Sequence, residues 1–427
     1  MLAGWLWFTL ASSYARAEDA GATFHADEHL TLADLTHAVE LGAPELAAGR
    51  RELAMARGEA QQARLLANPN VEAAWSALPV GRLNPRGLDH PYANVPNYAV
   101  GVEYTFPWRK RAPRRERADA LARGAQASLE FTTRDRALEL AEVLGSVATA
   151  TLRREGIADL IAGGRRATEV AEARLRTGFG TPLDVDQLRI DVDRTEQLLS
   201  GAESDILENL AACASLVGMR CERFADAKAA RAFLQAWLLR DDAPGDLVQR
   251  ADLRALQAFA SAASAESKLA DALKLPDPTV RFGYVHDRFT VAGNQLNSLN
   301  LSVSVPVAVF DRGQGQKQIA EASHRHLVEE RNARLAVANA RVPALLERHA
   351  LSLSRCQRLD SELIPRARGV LGQLESAVQS QLLPVTQVIQ ARRVVSELFI
   401  EEADSCGDAY RATLELAREI PARGAPK

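Results

Sequence analysis

Two very long stretches of helix-forming residues constrain this chain more than any other feature. Residues 113–177 and 316–380 are rich in Ala, Leu, Glu and Arg, which favour helix strongly. About 65 residues at 1.5 Å rise make a helix near 100 Å long. Globular helices run roughly 8–20 residues, so such lengths point to a coiled coil. Apolar residues recur along one side, as at Leu138, Val143, Val147 and Leu152, with one skip. Ala, Gly and Ser are frequent, so neighbouring helices can approach closely. Gly163-Gly164 predicts a bend in the first stretch, and Pro343 a kink in the second. Each stretch ends in a short break, Gly178-Phe179-Gly180-Thr181-Pro182 and Gln381-Leu382-Leu383-Pro384. A return helix follows each break, at 182–217 and 384–418.

Each long helix is preceded by two alternating segments, read as strands 70–79 and 97–107, then 278–289 and 296–307. Helical patterns precede both pairs, at 31–67 and 246–274. The order helix, strand, strand, long helix, turn, helix therefore occurs twice. The spacing of about 200 residues marks an internal repeat, with boundaries 18–225 and 226–427. Tyr98, Val100, Val102 and Tyr104 share one strand face, opposite Ala99, Gly101, Glu103 and Thr105. Leu299, Leu301, Val303 and Val305 likewise oppose Asn300, Ser302 and Ser304. This is period-two alternation. An antiparallel sheet with one buried face would read the same way. Two facts favour a membrane barrel: strands of about ten residues can cross a tilted bilayer path, and no helix remains to cover them.

Composition narrows the function classes. The 52 basic and 55 acidic residues give a net charge of -3, so no basic excess points to nucleic acid. Leu2 to Leu10 is apolar and Ala15-Arg16-Ala17 follows. This reads as an export signal over 1–17. No motif for a catalytic nucleophile, zinc hydrolase or phosphate loop occurs, so an enzyme is not expected. Gly313-x-Gly315 reads as a strand-to-helix turn. His25 and His29, with Asp27 and Glu28, form the only tight histidine cluster in the sequence. A polar, mobile N-terminal segment is the default reading of it, ahead of metal capture, so no metal site is expected. His324 and His326 cannot share a helix face. Cys213, Cys221, Cys356 and Cys406 include no C-x-x-C pair, which disfavours zinc or redox chemistry. Cys356 and Cys406 are equidistant, by about 25 residues, from the turn at Gln381, so an antiparallel hairpin puts them level. They are a possible disulfide, with local pairing of Cys213 and Cys221 around Gly218 as a companion. Small buried apolar side chains are the alternative for all four.

Leu32-Ala33-Asp34-Leu35, Pro44-Glu45-Leu46 and Asn68-Pro69-Asn70 resemble the opening of the outer membrane efflux protein family, the TolC-like exit ducts. Phe106-Pro107-Trp108-Arg109-Lys110-Arg111 is similar to the strand-end turn of its heavy-metal, CzcC-like branch. The stretch Val305-Pro306-Val307-Ala308-Val309-Phe310-Asp311-Arg312-Gly313 resembles the same turn again. The resemblance covers about 28–418 and is carried by the order and duplication of these phrases.

The resemblance implies an α+β fold. Long antiparallel coiled-coil helices form an α-barrel tunnel, and four strands per chain enter a trimeric twelve-stranded outer-membrane β-barrel. It implies a passive channel subunit of a tripartite efflux system, placed in the outer membrane with a periplasmic tunnel. Partners would be two further copies, a periplasmic adaptor, an inner-membrane pump of RND type or another kind, and outer-membrane lipid. Neither nucleic acid nor a cofactor is implied. An adaptor, or a coiled-coil scaffold without a pore, is the alternative reading. Family members narrow the tunnel mouth with aspartates just after the helix break. Asp184 matches such a position and Asp186 neighbours it, whereas Gln387 and Gln390 stand where second-repeat carboxylates are expected. Asp184 and Asp186 read equally as residues favoured at a helix N-terminus. The tip at Gly178, Gly180, Pro182 and Pro384 would meet the adaptor.

Overall fold

The computed structural model describes residues 23–78, 80–81, 89–94, 96–238, 246–287, 295–379 and 385–420. In chain order the elements are β1 (Thr23–His25), α1 (Leu32–Gly42), α2 (Pro44–Arg64), β2 (Asn70–Ser76), α3 (Pro91–Asn94), β3 (Asn97–Thr105) and α4 (Arg111–Arg176). There follow α5 (Pro182–Val217), β4 (Arg220–Glu222), α6 (Ala227–Leu238), α7 (Ala251–Ala272), β5 (Thr279–His286) and β6 (Asn297–Ser304). The described chain closes with α8 (Gln314–Arg358), α9 (Ile364–Gln379) and α10 (Val385–Glu419). The class is mostly helical α+β. No helix among the described residues is long and apolar enough to cross a membrane.

Several elements differ from the sequence reading in ways that have local causes. The stretch read as one helix over 316–380 divides into α8, a π-helical turn at Leu359–Leu363, and α9. Pro343 sits inside α8, so the irregularity falls past the proline rather than at it. Gly163-Gly164 likewise lies within unbroken α4. A Cβ at Gly164 would stand 2.4 Å from the Arg392 guanidinium. That glycine makes room for a side chain rather than a break. β2 stops before Ala77, whose φ of 58° leaves the extended region. The helix read from 246 opens with a separate 3₁₀ turn, Leu247–Gln249, before α7 begins.

Two compact units divide the chain. One comprises 44–134, 243–344 and 419–427, and contains the antiparallel sheet β2-β3-β5-β6. Its α2 and α4 pack through small residues, with Ala60, Ala63 and Ala118 in one apolar cluster. The other comprises 1–43, 135–242 and 345–418. Its core uses large side chains where small ones face them. Phe224, Phe233, Trp237 and Tyr410 form a continuous aromatic cluster with ring centroids 5.2–6.2 Å apart. Tyr410 is 1% exposed, and its hydroxyl donates to the Ala141 carbonyl at 2.8 Å. Gly145 faces that ring, and a Cβ there would stand 2.2 Å from it. The short parallel pair β1–β4 ties the N-terminal strand to the same unit.

Cys356 and Cys406 are disulfide-bonded with Cα atoms 4.7 Å apart, linking α8 to α10. Cys213 and Cys221 form a second bridge, with Cα atoms 6.1 Å apart, around the α5 C-cap Gly218. Gly218 takes φ 70°, the left-handed cap that glycine adopts at low cost.

The Tyr410–Gly145 contact gives a stability prediction. Gly145→Ala should destabilise the protein by about 1–3 kcal/mol, because overpacking at the ring outweighs the gain in helix propensity. Chemical unfolding in detergent, followed by ellipticity, measures it.

Candidate membrane-facing sheet and helical tip

The four-stranded sheet presents two different faces. Val71 pairs with Val102, Val102 with Phe282, and Phe282 with Leu301. Directly opposed residues share a face, so these four make one apolar row. The next row toward the loops is Ala73, Val100, Tyr284 and Leu299, and on the other side Tyr104, Val280 and Val303 align. They are exposed among the described residues: Val71 is 69% exposed, Val100 56%, Phe282 55% and Leu301 71%. Aromatic rings mark both ends of the band. At the loop end Trp75 stacks on Tyr98 at 6.4 Å. There Tyr284 Oη donates to Asn297 Oδ1, while His286 Nδ1 lies 2.8 Å from the same oxygen. At the helix end Tyr104 meets Phe106 edge to face at 4.7 Å.

The opposite face is polar. Gly101 pairs with Gly283, and these two short positions form a floor. Arg281 crosses it to pair with Glu72 two strands away. Asn300 and Ser302 continue the row on β6. Thr105 and Thr279 share a hydroxyl hydrogen bond of 2.9 Å. β3 has nine residues, about 30 Å at 3.4 Å per residue. Tilted at 35–45°, that length rises roughly 21–25 Å, the height of an outer-membrane apolar band.

The helical tip is built by local capping. Thr181 is the N-cap of α5, and its hydroxyl donates to Asp184 Oδ2 at 2.7 Å. The Asp184 N–H donates to Thr181 Oγ1 and the Thr181 N–H donates to Asp184 Oδ2, both at 3.2 Å, which completes a capping box. Gly178 takes φ 79° in the preceding turn, and Gly180 and Pro182 complete the approach to the helix. Asp184 is half-buried, while Asp186 is exposed and lies 3.9 Å from Arg189. Gln387 and Gln390 are exposed on α10. Pro384 lies outside the described residues. Val185 and Leu188 of α5, Val388 and Ile389 of α10, and Ala171 of α4 make one apolar cluster. Both glutamine positions and both aspartates therefore lie on helices joined by this cluster.

Farther from the tip is a feature the sequence reading missed. Arg392 of α10 and Asp191 of α5 form an ion pair at 3.3 Å, with side chains 2% and 6% exposed. Arg392 also donates to the Leu160 carbonyl of α4 at 2.5 Å. The signal was available: Asp191 follows Leu188 by three, and Arg392 follows Val388 by four, so both sit on apolar stripes. Arg231 of α6 makes a second charged junction, bonding Asp360 of the π turn and Glu402 of α10. Burial pushes its guanidinium down, but the Glu402 hydrogen bond and the carboxylate charges outweigh this and hold its pKa above the ordinary value.

The N-terminal histidines are not gathered into one site. His25 pairs with Glu222 at 2.9 Å, and His29 with Glu28 at 3.4 Å. Among the described residues, no group of three or more His, Cys, Asp or Glu is placed to hold a metal.

Residues 35–219 match the family model of the outer membrane efflux proteins. Solved structures extend the likeness of fold beyond that segment. The chain is similar to CusC, with TM-score 0.72 at 13% identity, covering 91% of each chain. It is similar to the outer membrane protein VceC of Vibrio cholerae, with TM-score 0.69 at 19% identity, over 92% of this chain and 96% of that one. The outer-membrane channel OprN gives TM-score 0.70 at 16% identity, over 91% and 89%. A search of curated proteins finds no match.

Breaking the buried pair should be costly, since removing Asp191 takes a carboxylate from a guanidinium that is 2% exposed. Asp191→Ala should lower stability by about 3–5 kcal/mol. Asp191→Leu with Arg392→Met should recover much of that loss. A double-mutant cycle on unfolding free energies checks the coupling.

Proposed function

We propose that this chain is the outer-membrane channel subunit of a tripartite efflux system, a passive duct from the periplasm to the exterior. The uncovered apolar sheet face, backed by a polar one, carries this reading. Left in water, each large apolar side chain forgoes about 1.5–3 kcal/mol. A lipid environment removes that cost, but lipid tolerates no open sheet edge. β2 and β6 are edge strands of the sheet. Pairing β6 of one copy with β2 of the next closes a twelve-stranded barrel from three copies. The polar face, with Glu72, Glu103, Arg281 and Thr105, then lines the lumen. A coiled-coil scaffold without a pore gives the apolar face no role.

The channel supplies a path and no chemistry. Its energy would come from an inner-membrane pump of RND type or another kind, joined through a periplasmic adaptor. The tip around Gly178, Gly180 and Pro182, with the segment at Pro384, would receive that adaptor. In a trimer, three copies of Asp184 would stand round the mouth, with Asp186, Gln387 and Gln390 nearby. Capping takes up Asp184 Oδ2, and the carboxylate charge would still face passing cations.

Two experiments test this. Val102→Arg should impair assembly in the outer membrane far more than Thr105→Arg, since a charge facing mid-bilayer costs about 2–4 kcal/mol. Equal damage from both, read by heat-modifiable mobility and membrane fractionation, would contradict the barrel. In planar bilayers, Asp184→Asn keeps an oxygen for the cap and removes the charge. It should weaken block by divalent and trivalent cations, and unchanged block would take Asp184 out of the pore.

A further inference from the structure

The turn between β3 and α4 carries more positive charge than the fold uses. Lys110 is paired with Asp277 at 2.8 Å, Arg111 donates to the Arg64 carbonyl at 3.2 Å, and Arg117 is paired with Glu266. Arg109, Arg114 and Arg115 are exposed and have no carboxylate partner among the described residues. Arg109 sits at φ 58°, a left-handed conformation. Asp277 Oδ1, which accepts the Trp108 N–H at 2.9 Å, anchors the turn there. The first turn of α4 contains no acidic residue. Its arginines therefore add to the positive end of the helix dipole instead of offsetting it. Folding alone gives no reason to keep them.

Their surroundings are not those of an ordinary solvated patch. Trp108 is 57% exposed beside them. Thr105 of β3 aligns through Thr279 with Ser304 of β6, so both strands end on the same edge of the sheet. Past that edge β6 continues into Val309 and Phe310, the latter 90% exposed. Beyond the ends of these strands the chain thus carries exposed aromatics and then arginines without a carboxylate partner among the described residues. An apolar wall, an aromatic belt and a cationic collar, in that order, match the layers of a bilayer leaflet with anionic headgroups.

We propose that this collar binds anionic phospholipid headgroups in the leaflet on the helix side of the barrel. Arg109, Arg114 and Arg115 hold the phosphates, and Trp108 and Phe310 lie at the acyl boundary. Guanidinium suits this role because it binds phosphate oxygens in pairs. The inference rests on the barrel reading above. A lipid is favoured over a soluble anionic partner because the cations directly continue a surface that only hydrocarbon satisfies.

The test offers the purified full-length protein in detergent an equimolar mixture of phosphatidylglycerol and phosphatidylcholine. Native mass spectrometry then counts the lipids retained. Each basic residue near an anionic surface contributes about fivefold, so wild type should prefer phosphatidylglycerol by roughly tenfold or more. Arg109→Gln, Arg114→Gln and Arg115→Gln together should abolish most of that preference, whereas the three Arg→Lys changes should keep most of it. Removing Arg51, Arg57 and Arg325 in the same way, with equal loss of charge on α2 and α8, should leave it intact. No preference in wild type, or full preference in the Gln variant, overturns the proposal. Loss of the bound lipid to glycerol phosphate would assign the arginines to a free phosphate ester and overturn it too. A parallel reconstitution separates the two readings. Insertion into neither pure phosphatidylcholine nor mixed vesicles would fail the barrel itself, while equal insertion and equal retention would fail only the lipid site.

Discussion

An exposed apolar face along the β2-β3-β5-β6 sheet is the constraint on which the remaining structure depends. The rows through Val102 and Val100 align apolar side chains across all four strands, and among the described residues these side chains are exposed. A register slip of one residue would exchange this face for the polar one. Features on the far side hold the register. Gly101 opposite Gly283 keeps the floor low, and the Arg281–Glu72 pair straps three strands over it. β2 and β3 come from the first half of the chain and β5 and β6 from the second, so the strap joins the two halves. The strand ends then pass directly into helices through the turns at Asp277 and Asp311.

The helical units are held by a different logic. Small residues there often face large ones, as Gly145 faces Tyr410. Specific junctions add to this packing. In one unit the Arg392–Asp191 pair joins α5 to α10 and reaches α4 through the Leu160 carbonyl. The Cys356–Cys406 bridge ties α8 to α10 shortly before the π turn. Arg231 fixes that turn to α6 and α10 through Asp360 and Glu402. The covalent tie thus lies just before the π turn and the Arg231–Asp360 ion pair lies within it. Between these junctions and the tip, packing relies on small clusters such as Val185, Leu188, Val388 and Ile389.

Much of this was legible in the sequence, for identifiable reasons. Period-two alternation over Tyr98–Phe106 and Leu299–Val307 reported the sheet faces because one side meets no polar group. Helical class followed from composition and length. The π turn was not legible, because Leu359–Leu363 has the composition of the helix around it and its cause is tertiary. Pro343 and Gly163-Gly164 lie inside α8 and α4 without ending them, and Gly164 leaves room for the Arg392 side chain. Arg392 and Asp191 were passed over because a charged residue on an apolar stripe looks like an ordinary surface position until its partner helix is known. At the tip, Asp184 caps α5 together with Thr181, which is the helix-terminal reading made of it.

The central claim is that the apolar face meets lipid and the polar face meets water. All four native cysteines lie in disulfides, so single cysteines introduced at positions 98 to 105 can carry spin labels one at a time. In the reconstituted protein, the relative accessibility of each label to oxygen and to a water-soluble nickel chelate is measured by electron paramagnetic resonance. The account predicts oscillation with a period of two, oxygen dominating at 98, 100, 102 and 104 and nickel at 99, 101, 103 and 105. Uniform nickel access along the strand, or oscillation in the opposite phase, would contradict it.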